Sequence, residues 1–557
     1  MEDDVNPYHF ATLTSLMREN YASMLDRVKG LKLLILDEET SASISLVQTH
    51  SYLLENGVLL TTSINDDNLF KGESHNMANL RHLKAVYIIR PSHANIARLC
   101  DQIRGGYFKE YHLYFTSMPL HGQLEMVAKN DVIELVIGVY SYHTDLLAIC
   151  RNCFLLESGT NDLYTSVHRS EAGRVSQGVF NVFRIIKQIP SIVHVNGSSE
   201  AKDLGLKVQS LLNNDLLNSE AILKAYSKYD NHERFGCCLL IYDRKFDCVT
   251  PLINQWTYEA MIHELLPITR NKLKIGEEEF ILNPDFDDFY GEHLFTEFSD
   301  VEASLADLVH QSKKQFSDAF NILQNIPQQT KMCNETKRHV AILHELSKII
   351  QQKQLLNNGL LEQDMGTRAK RSADAFDAVV DALNNTSIDA FERTRLAMIF
   401  CLVYRSNLEK INMVKDNMRM NGLTHMLKMV DSLLLYSDTN DSYKTSSDLL
   451  SKAKTTLNQS FMGAAASPYM QYKSRISHHV EALIKGQLDN RHFSLIPSSY
   501  DLDFTFKTLP ASVVIYVIGG ITMGEYRDLQ LLSKEEGVPI LLGGTRLINS
   551  HSFTNNL

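Results

Sequence analysis

The chain has 557 residues, 55 Lys and Arg against 66 Asp and Glu, and a formal net charge of -11. At about 150 residues per domain this length divides into several units rather than one core. The acidic balance excludes a dedicated binder of nucleic acid or of an anionic membrane, either of which would need a basic excess to attract phosphate.

No apolar run approaches the roughly 18 to 20 residues that cross a bilayer. The opening MEDDVNPYHF lacks the basic and apolar regions of a secretion signal, so a cytosolic chain is expected. Its eight cysteines are sparse and mostly embedded in apolar segments, which reads as reduced core thiols.

In chain order, a helical lead-in over 10–25 is followed by Leu33-Leu34-Ile35-Leu36-Asp37, a short continuous apolar run with an acidic end, the pattern of a buried parallel strand. Ile44, Val47 and Leu54 then share a helical face, Gly57 stops the helix, and 58–64 forms the next strand. The cycle repeats with strands over 85–90, 111–115 and 132–139 and helices over 95–103 and 123–128. Regular alternation of this kind predicts a doubly wound parallel sheet.

A second α/β unit begins with the stripe Val179, Val182, Phe183 and Ile186 and the buried strand Leu239-Leu240-Ile241-Tyr242-Asp243. It is incomplete, because from 246 to 482 the periodicity is nearly all helical. Val340, Leu343, Leu346 and Ile350 align there, as do Leu396, Ile399 and Val403. Strands return only with 513–518 and 539–542. The simplest architecture is two doubly wound parallel-sheet domains with a large helical domain inserted in the second. The divisions are 1–140 for the first α/β domain, 141–246 with 479–557 for the discontinuous second, and 247–478 for the helical one. Two polar or small-residue segments, 437–447 and 463–469, read as surface loops.

The search for chemistry returns little. Cys150 and Cys153 have the spacing of half a zinc or redox site, but no second pair lies at finger spacing, so two core cysteines are the better reading. His263-Glu264 begins like a zinc-protease helix, yet the imidazole four residues on is missing. Asp37 and Asp243 end predicted strands, where α/β enzymes place carboxylates. Asp37 also precedes a helix start, and Asp243-Arg244 reads as a structural ion pair. The twin glycines Gly519-Gly520 and Gly543-Gly544 follow strands without a nucleotide fingerprint, and tight turns with positive φ account for them. No catalytic residue, cofactor or metal site is expected.

The stretch Asp243-Arg244-Lys245-Phe246-Asp247-Cys248-Val249-Thr250-Pro251-Leu252 and its continuation Ile253-Asn254-Gln255-Trp256-Thr257-Tyr258-Glu259-Ala260-Met261-Ile262-His263-Glu264-Leu265-Leu266 strongly resembles the signature of the Sec/Munc (SM) family of syntaxin-binding, SNARE-regulating proteins. Within the family, Asn254 to Tyr258 and His263 to Leu266 look most like the vacuolar-sorting branch. Further matches run in order at 33–39, 84–91, Gln177-Gly178, from Leu346 onward, Ile484-Lys485-Gly486 and both glycine turns, so the resemblance covers nearly the whole chain. Read physically, Asp243 ends a strand, Asp247 to Pro251 turn out of the sheet, and Trp256, the single tryptophan, starts a helix as a wedge between domains. Asp243, Arg244, Pro251 and Trp256 are therefore expected to be architectural.

The resemblance implies an arch with a central cavity and a non-catalytic role in vesicle docking and fusion, on a Golgi-to-endosome or vacuolar route. It implies a pocket for a syntaxin N-terminal peptide on the first domain, at Phe115, Leu124, Val127, Ala128 and Ile133, with Leu124 the foremost exposed candidate. It further implies a helical hairpin that receives SNARE helices, here the helices on either side of Ile326-Pro327. The implied partners are a syntaxin-type SNARE, other SNAREs of the fusion complex and an endosomal tethering or Rab-effector protein. A monomer, cytoplasmic and held peripherally at Golgi and endosomal membranes, is expected. Two other readings remain open: an α/β enzyme using Asp37 or the Gly519 turn for phosphate chemistry, and a scaffold for non-SNARE partners.

Overall fold

The computed structural model describes residues 11–70, 82–157, 169–217, 234, 236–317, 326–437, 467–497 and 504–557. Most of the expected loop residues at 437–447 and 463–469 lie outside these. The first sheet contains β1 (Lys32–Leu36), β2 (Val58–Ser63), β3 (Lys84–Ile89), β4 (Glu110–Phe115) and β5 (Val136–Ser141), all parallel in the order β2-β1-β3-β4-β5. Every residue of β1 is buried, as a strand covered on both faces requires. Asp37 then caps the helix Glu38–Val47: its Oδ1 accepts from Thr40 N at 2.8 Å, while Asp37 N donates to Thr40 Oγ1 at 3.0 Å. This reciprocal box fixes the chain's exit from the sheet. One face of the sheet packs beneath the helices His93–Gly105 and His121–Asn130, and the other joins the core of the second unit.

The next elements are β6 (Leu147–Cys150), β7 (Cys153–Leu155), β8 (Pro190–Val195) and β9 (Cys237–Asp243). A small antiparallel sheet of β10 (Ile268–Thr269), β11 (Lys272–Ile275) and β12 (Glu278–Ile281) interrupts the helical region. Near the C-terminal end come β13 (Phe493–Leu495), β14 (Ser512–Ile518) and β15 (Ile540–Gly544). The second sheet draws on strands from both sides of the helical region, in the order β13-β8-β9-β14-β15-β7-β6.

This sheet is mixed, which corrects the expectation of a purely parallel one. β8, β9, β14, β15 and β7 are parallel, while β13 and β6 are antiparallel edges. The physical cause at β6 and β7 is their link of only Arg151 and Asn152, too short for anything but a hairpin. The three short strands at 268–281 were equally hidden. Their first turn uses Arg270 and Asn271 with φ of 49° and 63°, so that hairpin forms without the glycine that normally marks one, while the second turn does carry a glycine, Gly276 at φ 61°.

The helical region supplies Phe298–Ser317, Ile326–Gln352, Leu355–Gly366, Ser372–Asn384, Ala390–Val403, Leu408–Met420 and Leu427–Tyr436. Ala390–Val403 is buried nearly all round, which places it at the centre of this layer. The Leu343, Leu346 and Ile350 stripe is buried as its spacing predicts, but Val340 is exposed, because it lies on the far edge of that face.

Candidate partner-binding surfaces

The signature block is interior. Asp243 ends β9 and accepts from Ser198 Oγ at 2.6 Å and from Lys245 N at 3.1 Å. Arg244 does not pair with it, contrary to the sequence reading. The Arg244 guanidinium, fully buried, donates to Glu525 at 2.7 Å, to the Gly520 carbonyl at 2.8 Å and to the Asp247 carbonyl at 3.1 Å. Burial works against that charge, but the Glu525 carboxylate outweighs it and holds the guanidinium above its ordinary pKa.

The twin-glycine turn exists to admit this arginine. Gly519 and Gly520 have φ of 95° and 105°, and a Cβ on Gly519 would stand 2.8 Å from Arg244 Cβ. A carbonyl of the turn thus faces a guanidinium, where a phosphate cradle would turn amides outward. Gly543 and Gly544 serve differently. They lie within β15, and a Cβ on Gly543 would fall 2.0 Å from the Phe154 ring, so close packing rather than positive φ demands glycine there.

Asp247 completes the exit from the sheet, accepting from Thr250 Oγ1 at 2.6 Å, with Pro251 in the following single turn Thr250–Leu252. That turn is tied to the helical layer by Arg395, which donates to the Leu252 carbonyl at 2.7 Å and to Glu362 and Glu392 at 2.7 and 2.6 Å. Trp256 is buried, but within the helical region's own core, not between domains. Its ring lies 5.1 Å from that of Tyr469 and against Gly359, and the helix Tyr258–Leu265 starts only after the Thr257 cap.

The remaining chemical candidates are enclosed. Cys150 and Cys153 face each other across the β6–β7 hairpin, and burial pushes both thiols up, which makes them poor nucleophiles. Cys150 Sγ lies 3.3 Å from Glu259, whose carboxyl burial raises to about 8. His263 is pushed down to about 4 by burial, and Glu264 accepts from Ser550 N at 3.1 Å. Asp37 spends its second oxygen on Arg90 N and Asn95 Nδ2, both at 2.7 Å. Among the described residues no group of three His, Cys, Asp or Glu is placed to hold a metal.

The first unit presents an apolar surface around the helix His121–Asn130 and the edge strand β5. Two residues assigned to it by sequence are core instead: Phe115 and Val127 are buried against each other's layer beneath that helix. Phe115 ends the inner strand β4 and Val127 sits on the sheet-facing side of the helix, so neither reaches solvent. Leu124 is half-buried on the rim of the same core, Ala128 is exposed and Ile133 is 64% exposed.

Sequence reasoning missed Val132, 80% exposed, and Ile137 and Val139 on β5, both exposed. Ile137 occupies a bulge: Val136 pairs with Tyr111 and Gly138 with His112, leaving Ile137 between them as the extra residue. Bulges of this kind re-aim side chains at sheet edges. Val139 lies opposite Leu113, on the face that the helix covers. The only available signal was the pair of β-branched residues directly after the helix.

In the helical region, Phe298–Ser317 packs along Ile326–Gln352. Ile326 and Pro327 do not separate the two helices but are the first residues of the second, which was expected only from about Thr336 and so begins nearly three turns earlier, at a position where the missing proline N–H has no helical partner to lose. The base of the pair is fastened by Asp287, which accepts from Tyr290 N at 2.9 Å and contacts His339 Nε2 at 3.0 Å, with Arg338 alongside. His339 Nδ1 meets Tyr258 Oη at 2.9 Å, joining this base to the signature helix.

Residues 32–556 match the family model described as the Sec1 family. The vacuolar protein sorting-associated protein 45 homolog of Arabidopsis thaliana is 28% identical over 98% of this chain and 97% of that protein. Among solved structures, the SM protein Vps45 in complex with the Qa SNARE Tlg2 superposes with a TM-score of 0.84 at 23% identity, covering 98% of this chain and 97% of that one. Sly1p in complex with an N-terminal peptide of Sed5p gives 0.72 at 18% identity, covering 98% of each. With the family model spanning nearly its full length, the chain belongs to the Sec1 family.

Proposed function

We propose that this chain binds a Qa-type, syntaxin-like SNARE and regulates SNARE complex assembly during vesicle docking and fusion, on a Golgi-to-endosome or vacuolar route. The family membership and the named complexes of its relatives support this reading. The observation that carries it is the exposed apolar surface of Ala128, Val132, Ile133 and Val139 on the first α/β unit, with the half-buried Leu124 at its rim. A solvated face of that kind suits a short apolar peptide.

On this reading 1–140 receives the SNARE N-terminal peptide. The discontinuous unit 141–246 with 479–557 is the platform, and 247–478 offers its helical pair to SNARE helices across the cavity of an arch. The role is non-catalytic, since Asp37 and Asp243 spend their carboxylates on capping and turn bonds. Other SNAREs and a tethering or Rab-effector protein are the further partners. The chain reaches Golgi and endosomal membranes through them as a cytoplasmic monomer; no described helix is long and apolar enough to cross a membrane.

An apolar anchor gains about 1.5 to 3 kcal/mol on burial, equivalent to roughly ten- to hundredfold in affinity. Calorimetry of the full chain with a synthetic peptide of the Tlg2 N-terminal segment should therefore register binding that Ile133→Arg abolishes and Leu124→Arg weakens, with the fold intact by circular dichroism. Unchanged affinity in both variants would remove the surface.

A further inference from the structure

The helix His121–Asn130 ends in a turn whose shape is fixed by one carboxylate. Asp131 Oδ1 accepts from Leu135 N at 2.8 Å and Oδ2 from Val136 N at 3.0 Å, so both oxygens are committed to the backbone of the turn. Between those anchors Glu134 is held at φ 55°, a left-handed conformation that an ordinary side chain avoids. The loop so closed carries Val132 and Ile133 at 80% and 64% exposure. Gly106, itself left-handed at φ 58°, backs it closely enough that a Cβ there would touch Ile133 Cδ1 at 3.6 Å.

Exposed β-branched residues on a left-handed turn are costly to arrange and contribute little to the core. A loop free to relax would let residue 134 leave the left-handed region, and the apolar pair would lose its fixed direction. The bidentate clamp prevents this, and its cost is repaid only where a partner needs those two side chains already in place.

We propose that Asp131 is a positioning residue for peptide docking: without touching the peptide, it holds the 131–135 turn so that Val132 and Ile133 stand ready as anchors. The inference rests on the docking reading above and adds to it a residue that acts through the backbone alone. Losing the clamp lowers the fraction of molecules whose turn is competent, and apparent affinity falls by that fraction. Once the peptide is bound, its contacts are those of the unsubstituted protein. The loss therefore falls on the association rate, whereas removing an anchor raises the dissociation rate.

The test measures binding kinetics of the full-length chain on the immobilised Tlg2 N-terminal peptide, with thermal unfolding in parallel. Asp131→Ala should slow association about tenfold and leave dissociation nearly unchanged, with only a modest fall in the unfolding midpoint from the two lost hydrogen bonds of a surface turn. Asp131→Asn keeps one acceptor and should fall between the two. Hydrogen exchange should quicken at the Leu135 and Val136 amides. Ile133→Arg separates the two ideas. If the parent chain does not bind, or Ile133→Arg binds as well as the parent, the docking reading fails and this inference with it. If Ile133→Arg abolishes binding while Asp131→Ala associates at the parental rate, or loses affinity through faster dissociation, the positioning role alone is overturned.

Discussion

The signature block at 243–266 and the turn at 131–135 reverse the usual placement of polar and apolar groups. In the block Arg244 is buried against Glu525, and the block's exit turn is held by a second buried guanidinium from outside it, Arg395 of the helix Ala390–Val403, which pairs with Glu362 and Glu392. In the turn, two β-branched side chains stand in water. Each inversion costs stability, and each is held by directed hydrogen bonds. The difference lies in what the arrangement serves. The buried charges join elements distant in sequence: Arg244 ties β9 to the start of Met523–Glu536, and Arg395 ties the exit turn to two helices of the inserted layer. The exposed apolar pair belongs to no core cluster among the described residues. A paired charge inside joins distant parts of one molecule, and on the proposed reading the exposed apolar pair is half a joint between two molecules.

If that contrast holds, the largest effect comes from breaking the interior joint. Arg244→Ala leaves Glu525 buried with its cation gone, and one uncompensated buried charge costs about 3 to 5 kcal/mol. Chemical denaturation should show a transition at much lower denaturant, and the protein should lose soluble yield on expression. A midpoint near that of the parent would mean the knot is dispensable and the contrast false.

Glu259 sharpens the comparison through pH. Its carboxyl has a pKa raised by burial to about 8, against an ordinary 4.5. Below pH 4.5 the group is protonated in folded and unfolded chains alike, and its burial is free of any ionisation penalty. As pH rises toward 8 the unfolded chain ionises while the folded one does not, so stability is lost across that window, by about 1.4 kcal/mol for each step of one in pH. Glu259→Gln removes the titration. The variant should gain on the parent by a few kcal/mol between pH 5 and pH 8, read from unfolding midpoints measured side by side. A gap independent of pH would show that Glu259 ionises freely in the folded protein.

The same contrast explains what the sequence made legible. Burial on both faces writes itself as a continuous apolar run, so β1, β9 and β14 were readable, as was the return of the C-terminal strands to a sheet begun before the helices. Asp37 was readable as a cap because the side chain that caps belongs to the residue before the helix. The hairpin of β6 and β7 was not, since its turn of Arg151 and Asn152 carries no breaker. Arg244 pairs with Glu525, 281 residues away, and nothing local announces it. On the surface proposed for docking, sequence put Leu124 forward as the exposed residue and set Ile133 in a strand over 132–139; Leu124 is half-buried, while Ile133 lies in the turn before β5 and stands in solvent with Ala128. Phe115 and Val127 carry the same apolar character but face the core, because strand position and helix phase decide orientation. The bulge at Ile137 follows from a register that only the pairing of β4 and β5 reveals.

The smallest expected change in stability tests the outer half of the contrast. Val132 makes no part of any core cluster among the described residues and is 80% exposed, so Val132→Ser should move the unfolding midpoint within the range of ordinary surface substitutions, about 0.5 kcal/mol or less. If the side chain exists for a partner, the same substitution should weaken peptide binding by roughly tenfold, since it withdraws most of one apolar anchor. The informative quantity is the ratio of the two effects. Binding lost without stability identifies a residue kept for another molecule. Stability lost without binding would mean that Val132 packs against its own chain, and the turn would then belong with Arg244 among the internal joints.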